Sequence, residues 1–324
     1  MPPFISILIP TKNVGPYIDQ VLRSVFSLDY PKDLYDVWIL DGFSTDGTRE
    51  TALKYPVIFR ESRCNVPAFY NAVLPEIKGE IVALGDGDAI VDPQWLKTLV
   101  PHFDDPKVAG AGGLCLTANN DRLIPRVIGY ELKARYERMP SSISRIATMN
   151  VLYRKSALLE VKGFDERFDI GYDAEIGHKI CAAGYIISFD PKAIVYHYNR
   201  PTLSSYYRQQ YVYGKFTAGL YLSNTRIATG DEVTSFWMNI QPFIYAIIAL
   251  SFLIAIFFPP AGLIGVIFLL GLLILYTVSA AQLSVKEKDV TAMFFVVLCF
   301  VRGFAWTAGG AWFVLSSLKK GKER

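Results

Sequence analysis

Cysteine is scarce in this 324-residue chain and never paired: Cys64, Cys115, Cys181 and Cys299 stand far apart, with no CxxC. That argues against a disulfide framework or a zinc site, and for reduced thiols in a cytoplasmic compartment. No basic-then-apolar leader precedes the first strand-like run, so no signal peptide is expected. Net charge is small too, at +3, which argues against nucleic acid as a partner. No glycine-rich phosphate loop follows the first strand, where Pro10-Thr11-Lys12-Asn13-Val14-Gly15 stands instead. A nucleotidyltransferase would normally carry one. The longest absence is of charge: no Asp, Glu, Lys or Arg occurs from Val233 to Val285. A membrane span takes about 20 apolar residues. The stretch therefore holds two, about Trp237–Phe258 and Ala261–Gln282, broken at Pro259-Pro260. Neither contains an ionisable residue, so a substrate path through them is not expected.

What is present begins with alternation. Apolar runs at Phe4–Ile9, Val37–Leu40, Val57–Phe59 and Gly79–Gly85 read as strands, separated by helical spacing at Tyr17–Phe26, from Thr48, and at Pro67–Ile77. Such alternation predicts an α/β fold with a mostly parallel sheet flanked by helices. Ligands in such sheets bind at the carboxyl ends of strands. Pro10-Thr11, Asp41 and Asp86-Gly87-Asp88 all fall there. Two carboxylates one residue apart at a strand exit suit Mg²⁺ or Mn²⁺, with positions left open for substrate phosphates. Asp and Gly also build ordinary surface turns, and the pattern alone leaves both readings open.

The series Pro10-Thr11-x-Asn13, Leu40-Asp41-Gly42-Phe43-Ser44-Thr45-Asp46-Gly47-Thr48, Asp86-Gly87-Asp88, Gly163-Phe164-Asp165-Glu166-x-Phe168, Gly171-Tyr172-Asp173-x-Glu175 and Gly184-Tyr185 resembles the inverting family 2 glycosyltransferases. That resemblance covers roughly residues 4 to 200 and implies the GT-A (Rossmann-like) fold. It also implies a nucleotide diphosphate sugar as donor, a UDP-sugar being favoured and a GDP-sugar possible. By the same resemblance Asp41 accepts a hydrogen bond from the base, and Pro10, Thr11 and Asn13 line the nucleotide crevice. Asp86 and Asp88 hold the metal, Asp86 also facing the nucleotide-sugar, and His197 closes onto metal or diphosphate. Asp173 is the catalytic base, with Glu175 in reserve; Asp46 reads as a structural helix-start carboxylate. Tyr70 stands where the family often has Arg, which leaves Arg63 or Lys12 to hold the diphosphate. A Gln-x-x-Arg-Trp segment is missing near Gln209-Gln210-Tyr211-Val212-Tyr213, so transfer of single sugars is expected rather than processive synthesis. A non-catalytic, membrane-anchored nucleotide- or glycan-binding relative is the alternative.

The expected domains are a GT-A domain over 1–204, amphipathic juxtamembrane helices over 205–235, membrane helices over 236–318 and a basic tail over 319–324. Tyr206–Leu222, with five tyrosines, Arg208 and Lys215, reads as lying along the membrane surface. Asn150, Arg208, Tyr211 and Lys215 are the residues expected near a lipid-linked acceptor, a polyprenyl phosphate or a glycan carried on one. The protein is accordingly read as multi-pass in the cell membrane, with the catalytic domain cytoplasmic. Val290–Leu318 is long enough to span but carries Arg302 near its middle. A buried Arg costs about 2.5–3.5 kcal/mol on insertion scales, and a third crossing would put the basic tail outside. The segment is therefore expected to bend back or lie in the interface, with Arg302 facing a lipid phosphate or the cytoplasmic surface.

Overall fold

The computed structural model describes residues 2–223 and 232–322. Part of the expected juxtamembrane segment (224–231, with Arg226) and the last two residues of the basic tail lie outside them. The chain forms two compact units, Met1–Ala118 with Arg135–Tyr198, and Asn119–Ala134 with Asn199–Arg324.

The first unit is built on β1 (Ile5–Thr11), α1 (Gly15–Phe26), β2 (Tyr35–Asp41), α2 (Thr48–Ala52), β3 (Ile58–Glu61), α3 (Val66–Val73), β4 (Ile81–Leu84), β5 (Ala89–Val91), α4 (Trp95–Leu99) and β6 (Val108–Thr117). After α5 (Leu123–Tyr136) come β7 (Ser142–Ile143), β8 (Val151–Arg154), α6 (Lys155–Glu160), α7 (Tyr172–Ala182) and β9 (Ile186–His197). Among the described residues these strands make one nine-stranded mixed sheet, in the order β3-β2-β1-β4-β8-β6-β9-β5, with β7 on β9. The half β3-β2-β1-β4 is parallel, as the alternation predicts. Beyond it β8 runs antiparallel to both β4 and β6, and β5 antiparallel to β9. Every residue of β4 is buried, as a strand covered on both faces requires. Helix α1 buries Ile18, Val21, Leu22 and Val25, an i, i+3, i+4, i+7 stripe that seats it on the sheet. The register sets Thr11 opposite Asp41, and Asp41 opposite Glu61. Polar residues at three strand exits thus share one edge.

The second unit is helical: most of α5, then α8 (Leu203–Ser223), α9 (Phe236–Ala255), α10 (Ala261–Glu287) and α11 (Phe295–Lys322). Ser235 caps α9 by accepting from the Met238 N–H at 3.3 Å, and α10 starts immediately after Pro259-Pro260. Both match the two apolar segments expected from the missing charge. Residues 290–317 form a third stretch long and apolar enough to cross a membrane. Two corrections follow for this region. Val290–Leu318 does not bend back: after one 3₁₀ turn it continues as the unbroken α11. Nor does Arg302 face a lipid phosphate. It is 6% exposed and its guanidinium donates to Glu131 of α5. Two further ion pairs hold α5 in this unit, Arg126–Asp289 at 3.3 Å and Lys133–Glu287 at 2.9 Å.

Candidate active site

The crevice edge is organised by side chains that bond one another. Asp41, at the end of β2, is 0% exposed. Its Oδ1 accepts from the Thr11 hydroxyl at 2.8 Å and the Ser44 hydroxyl at 2.6 Å, and its Oδ2 from the Ser44 N–H at 2.7 Å. Asn13 sits at φ +54°, a conformation Asn tolerates better than most residues. Its N–H donates to Ser44 Oγ and its Oδ1 accepts from the Thr45 N–H. Asp46 ties the next turn, accepting from the Gly15 N–H at 2.8 Å and the Thr48 hydroxyl at 2.6 Å. The Thr48 bond, then the backbone N–H groups, hold its carboxyl below the usual range. Thr11, Asn13 and Asp41 are therefore brought together, but as a mutually bonded rim whose acceptors are largely occupied from within.

Asp86-Gly87-Asp88 forms the turn between β4 and β5. The Ala89 N–H donates to the Asp86 carbonyl at 3.1 Å, and the Tyr198 N–H to the Asp88 carbonyl at 3.0 Å. A Cβ at Gly87 would come within 2.9 Å of Val14 Cγ2 and 3.0 Å of Thr11 Cγ2, so only glycine lets this turn press against the β1–α1 loop. Pairing of β5 with β9 sets Ala89 opposite His197, which brings His197 Nε2 to 3.3 Å from Asp88 Oδ1. Asp86 is pushed up to about 7, by burial first, then by the charge of Asp88, with His197 opposing and Asp173 adding to the rise. The acidic turn, His197 and Asp173 thus act on one another. Among the described residues no three of His, Cys, Asp and Glu converge to cage an ion on their own. The donor set remains two hard carboxylate groups, a fit for a divalent cation that completes its shell with phosphate oxygens.

Asp173 and Glu175 lie in the first turn of α7, which starts after Gly171 at φ +80°. They are not equivalent. Glu175 accepts from the Asp165 N–H at 3.2 Å and pairs with Lys179 at 3.2 Å, whereas Asp173 is the carboxylate that acts on Asp86.

Other expected residues are placed differently. Asn150 is buried in the core: its Oδ1 accepts from Trp95 Nε1 at 2.8 Å, and its Nδ2 donates to the carbonyls of Leu114 and Ala193. Its amide is a structural junction, not an acceptor contact. Arg208, Tyr211 and Lys215 lie on α8 in the second unit. The Arg63 guanidinium rests 5.1 Å from the Phe43 ring, and Lys12 Nζ donates to the Gly42 carbonyl at 3.0 Å. Tyr70 packs against Phe164 and Tyr172. Among the described residues the Tyr70 and Tyr153 hydroxyls are buried without a hydrogen-bond partner, and burial, then Tyr172 and Asp86, raises the Tyr70 hydroxyl well above its usual range. Ser44 was not foreseen as part of the site, yet it had a signal, since a Ser three residues after a buried strand-end Asp can bond back to it.

Residues 6–161 match the family described as Glycosyl transferase family 2. Glycosyltransferase AglE of Haloferax volcanii is 28% identical over 214 residues, 61% of this chain and 68% of that one. The dolichyl N-acetyl-alpha-D-glucosaminyl phosphate 3-beta-D-2,3-diacetamido-2,3-dideoxy-beta-D-glucuronosyltransferase of Methanococcus voltae is 25% identical over 321 residues, covering 92% and 93%. Among solved structures, the mannosyltransferase PcManGT from Pyrobaculum calidifontis, in complex with GDP-Man and Mn²⁺, superposes with a TM-score of 0.55 at 20% identity. The match covers 94% of this chain and 88% of that one, and it shows the GT-A fold.

Proposed function

We propose that this chain, which belongs to glycosyl transferase family 2, moves one sugar from a nucleotide diphosphate sugar to a lipid-linked acceptor, inverting the anomeric carbon. The observation that carries the reading is the set of three carboxylates, Asp86, Asp88 and Asp173: burial first, then the charges of Asp88 and Asp173 with His197 opposing, lift Asp86 to about 7. Asp86 and Asp88 would hold Mg²⁺ or Mn²⁺, and a cation bound there supplies Lewis-acid screening of the charge that develops on the leaving diphosphate. Asp173 is the base. As the acceptor hydroxyl attacks the anomeric carbon and the carbon–diphosphate oxygen bond breaks, Asp173 takes the hydroxyl proton. His197, beside Asp88, orients that carboxylate. A UDP-sugar is the favoured donor and a GDP-sugar the alternative. The lipid-linked acceptor is supported by the apolar helices of the second unit and by the dolichyl N-acetyl-alpha-D-glucosaminyl phosphate for which the Methanococcus voltae relative is named. On this reading the catalytic unit faces the cytoplasm.

The test is nucleotide release by purified protein in detergent, from a panel of UDP- and GDP-sugars with Mn²⁺ or Mg²⁺. It is run with and without a polyprenyl phosphate-linked glycan, which offers the hydroxyl that Asp173 would deprotonate, beside Asp88→Asn and Asp173→Asn. Metal-dependent turnover of one donor, stimulated by the lipid and lost in both variants, is the expected result. Tight nucleotide binding with no turnover of any donor would overturn it in favour of a binding protein.

A further inference from the structure

Phe43 combines two features that folding alone does not favour. Its φ is +59°, in the left-handed region where a bulky side chain is strained. The residue is also 44% exposed. Elsewhere in the same unit, Gly47, Gly171 and Gly184 occupy such conformations without strain. The backbone around Phe43 is held on both sides. Gly42 N–H donates to the Thr11 carbonyl at 2.8 Å, and Ser44 gives both its N–H and its hydroxyl to Asp41. The rim therefore presents an aromatic ring to solvent in a fixed pose. Arg63, two residues beyond the end of β3, places its guanidinium 5.1 Å from the ring centre.

The position of this ring matches the length of a nucleotide. With strand order β3-β2-β1-β4, two strand spacings separate the β2 exit from the β4 exit, about 10 Å. That distance is comparable to the reach of a nucleoside from its diphosphate to its base. A diphosphate at Asp86 and Asp88 brings the base to the edge where Phe43 stands.

We propose that Phe43 is the stacking platform for the nucleobase of the donor, with Arg63 bracing the ring. The proposal rests on the donor reading above and deepens it. Stacking is tolerant of base identity because every base has a π-face. Phe43 thus sets affinity for a nucleotide over bare pyrophosphate, and leaves the choice between uracil and guanine to hydrogen bonds elsewhere on the rim.

The experiment titrates the full chain in detergent, with Mn²⁺, against UDP, GDP and inorganic pyrophosphate. Wild type, Phe43→Gly, Phe43→Asn and Phe43→Trp are compared, and thermal unfolding is followed in parallel. The Gly and Asn variants relieve the strain, so their Tm is expected to rise while the preferred nucleotide binds roughly ten-fold or more weakly. Pyrophosphate affinity should not change. Phe43→Trp should keep nucleotide binding, and its new indole fluorescence should be quenched by it. Unchanged nucleotide affinity in Phe43→Gly and Phe43→Asn overturns the platform, as does a loss in Phe43→Trp equal to that in the Gly variant. A wild-type protein that binds neither nucleotide overturns the donor reading and the platform together.

Discussion

Without a cation, Asp86 faces Asp88 and Asp173, and burial together with that repulsion lifts its carboxyl to about 7. An unfolded aspartate titrates near 3.9. Between those values the folded chain binds more protons than the unfolded one, so stability falls as pH rises through that window. The penalty is absent below about pH 4 and complete above about 7. In EDTA at pH 8, Asp86→Asn should therefore be more stable than wild type, by up to about 4 kcal/mol. The gap should close as pH falls toward 4, and Mn²⁺ at pH 8 should raise the Tm of wild type but not of the variant. Melting curves at the two pH values check this, and an equal Tm at pH 8 would mean the carboxylates do not oppose one another. Asp173 and Glu175 separate in a different measurement. Asp173→Asn should lower kcat by about 10²–10⁴, the range of a lost general base. Glu175→Gln should mainly lower Tm, because it loosens the contacts to Asp165 and Lys179. Comparable kcat losses in both would move the base to Glu175. At this scale the sequence was readable where residues act through local spacing: the acidic turn follows its strand directly. Asn150 was misread because burial of an amide between Trp95, Leu114 and Ala193 depends on strands distant in the chain.

Helices α8 and α11 pack through residues too small to hold them apart. A Cβ at Gly309 would lie 2.1 Å from the Tyr211 carbonyl oxygen and 2.7 Å from the Lys215 nitrogen, and one at Gly214 would lie 2.4 Å from Trp306 Cα. Trp306 Nε1 donates to the buried Gln210 Oε1 at 2.8 Å, so the close approach also satisfies polar groups that lipid would leave unpaired. Gly303 gives the same closeness to the Tyr245 ring of α9. The obstacle at Gly309 is backbone, which cannot rotate away. Gly309→Ala should accordingly lower the Tm in detergent by several degrees, a core overpacking effect of about 1–3 kcal/mol. Gly271 on α10 is the control, since a Cβ there meets nothing within 4 Å. Gly271→Ala should be neutral or gain up to about 1 kcal/mol from helix propensity. Equal effects in the two variants would remove the packing explanation. Strands β1 to β4 and helices α9 and α10 were legible because apolar period and missing charge mark them directly. The partnership of α8 with α11 was not. Tyrosine and basic residues on α8 read as a membrane-surface face, while the packing face is made of Gly214 and Gln210, which carry no hydrophobic signal.

Across the whole chain, the number of crossings follows from where charge is paired. By length and composition α9, α10 and residues 290–317 all qualify as spans, but 44% of the last segment's most apolar stretch is buried within the protein against 28% and 22% for the others. Its partners are polar. Arg302 pairs with Glu131 on α5, a helix that also carries Arg126 and Lys133, and Trp306 donates to Gln210 of α8. Charges bonded at the middle of a helix favour the depth of headgroups over hydrocarbon, where they would cost several kcal/mol. We infer from this two crossings, by α9 and α10, with α11 along the surface from which the chain started. On that topology the basic end of the sequence would lie on the cytoplasmic side, in keeping with the bias of basic residues toward the cytoplasm. The expected outcome is that Cys64, exposed on the catalytic unit, and a thiol introduced by Ser317→Cys react with a membrane-impermeant maleimide in vesicles of the same orientation. Reaction of the two in opposite orientations would show that α11 crosses. Arg302 and Glu131 would then be a buried ion pair inside the bilayer, and an odd number of spans would separate the basic end of the chain from its active site.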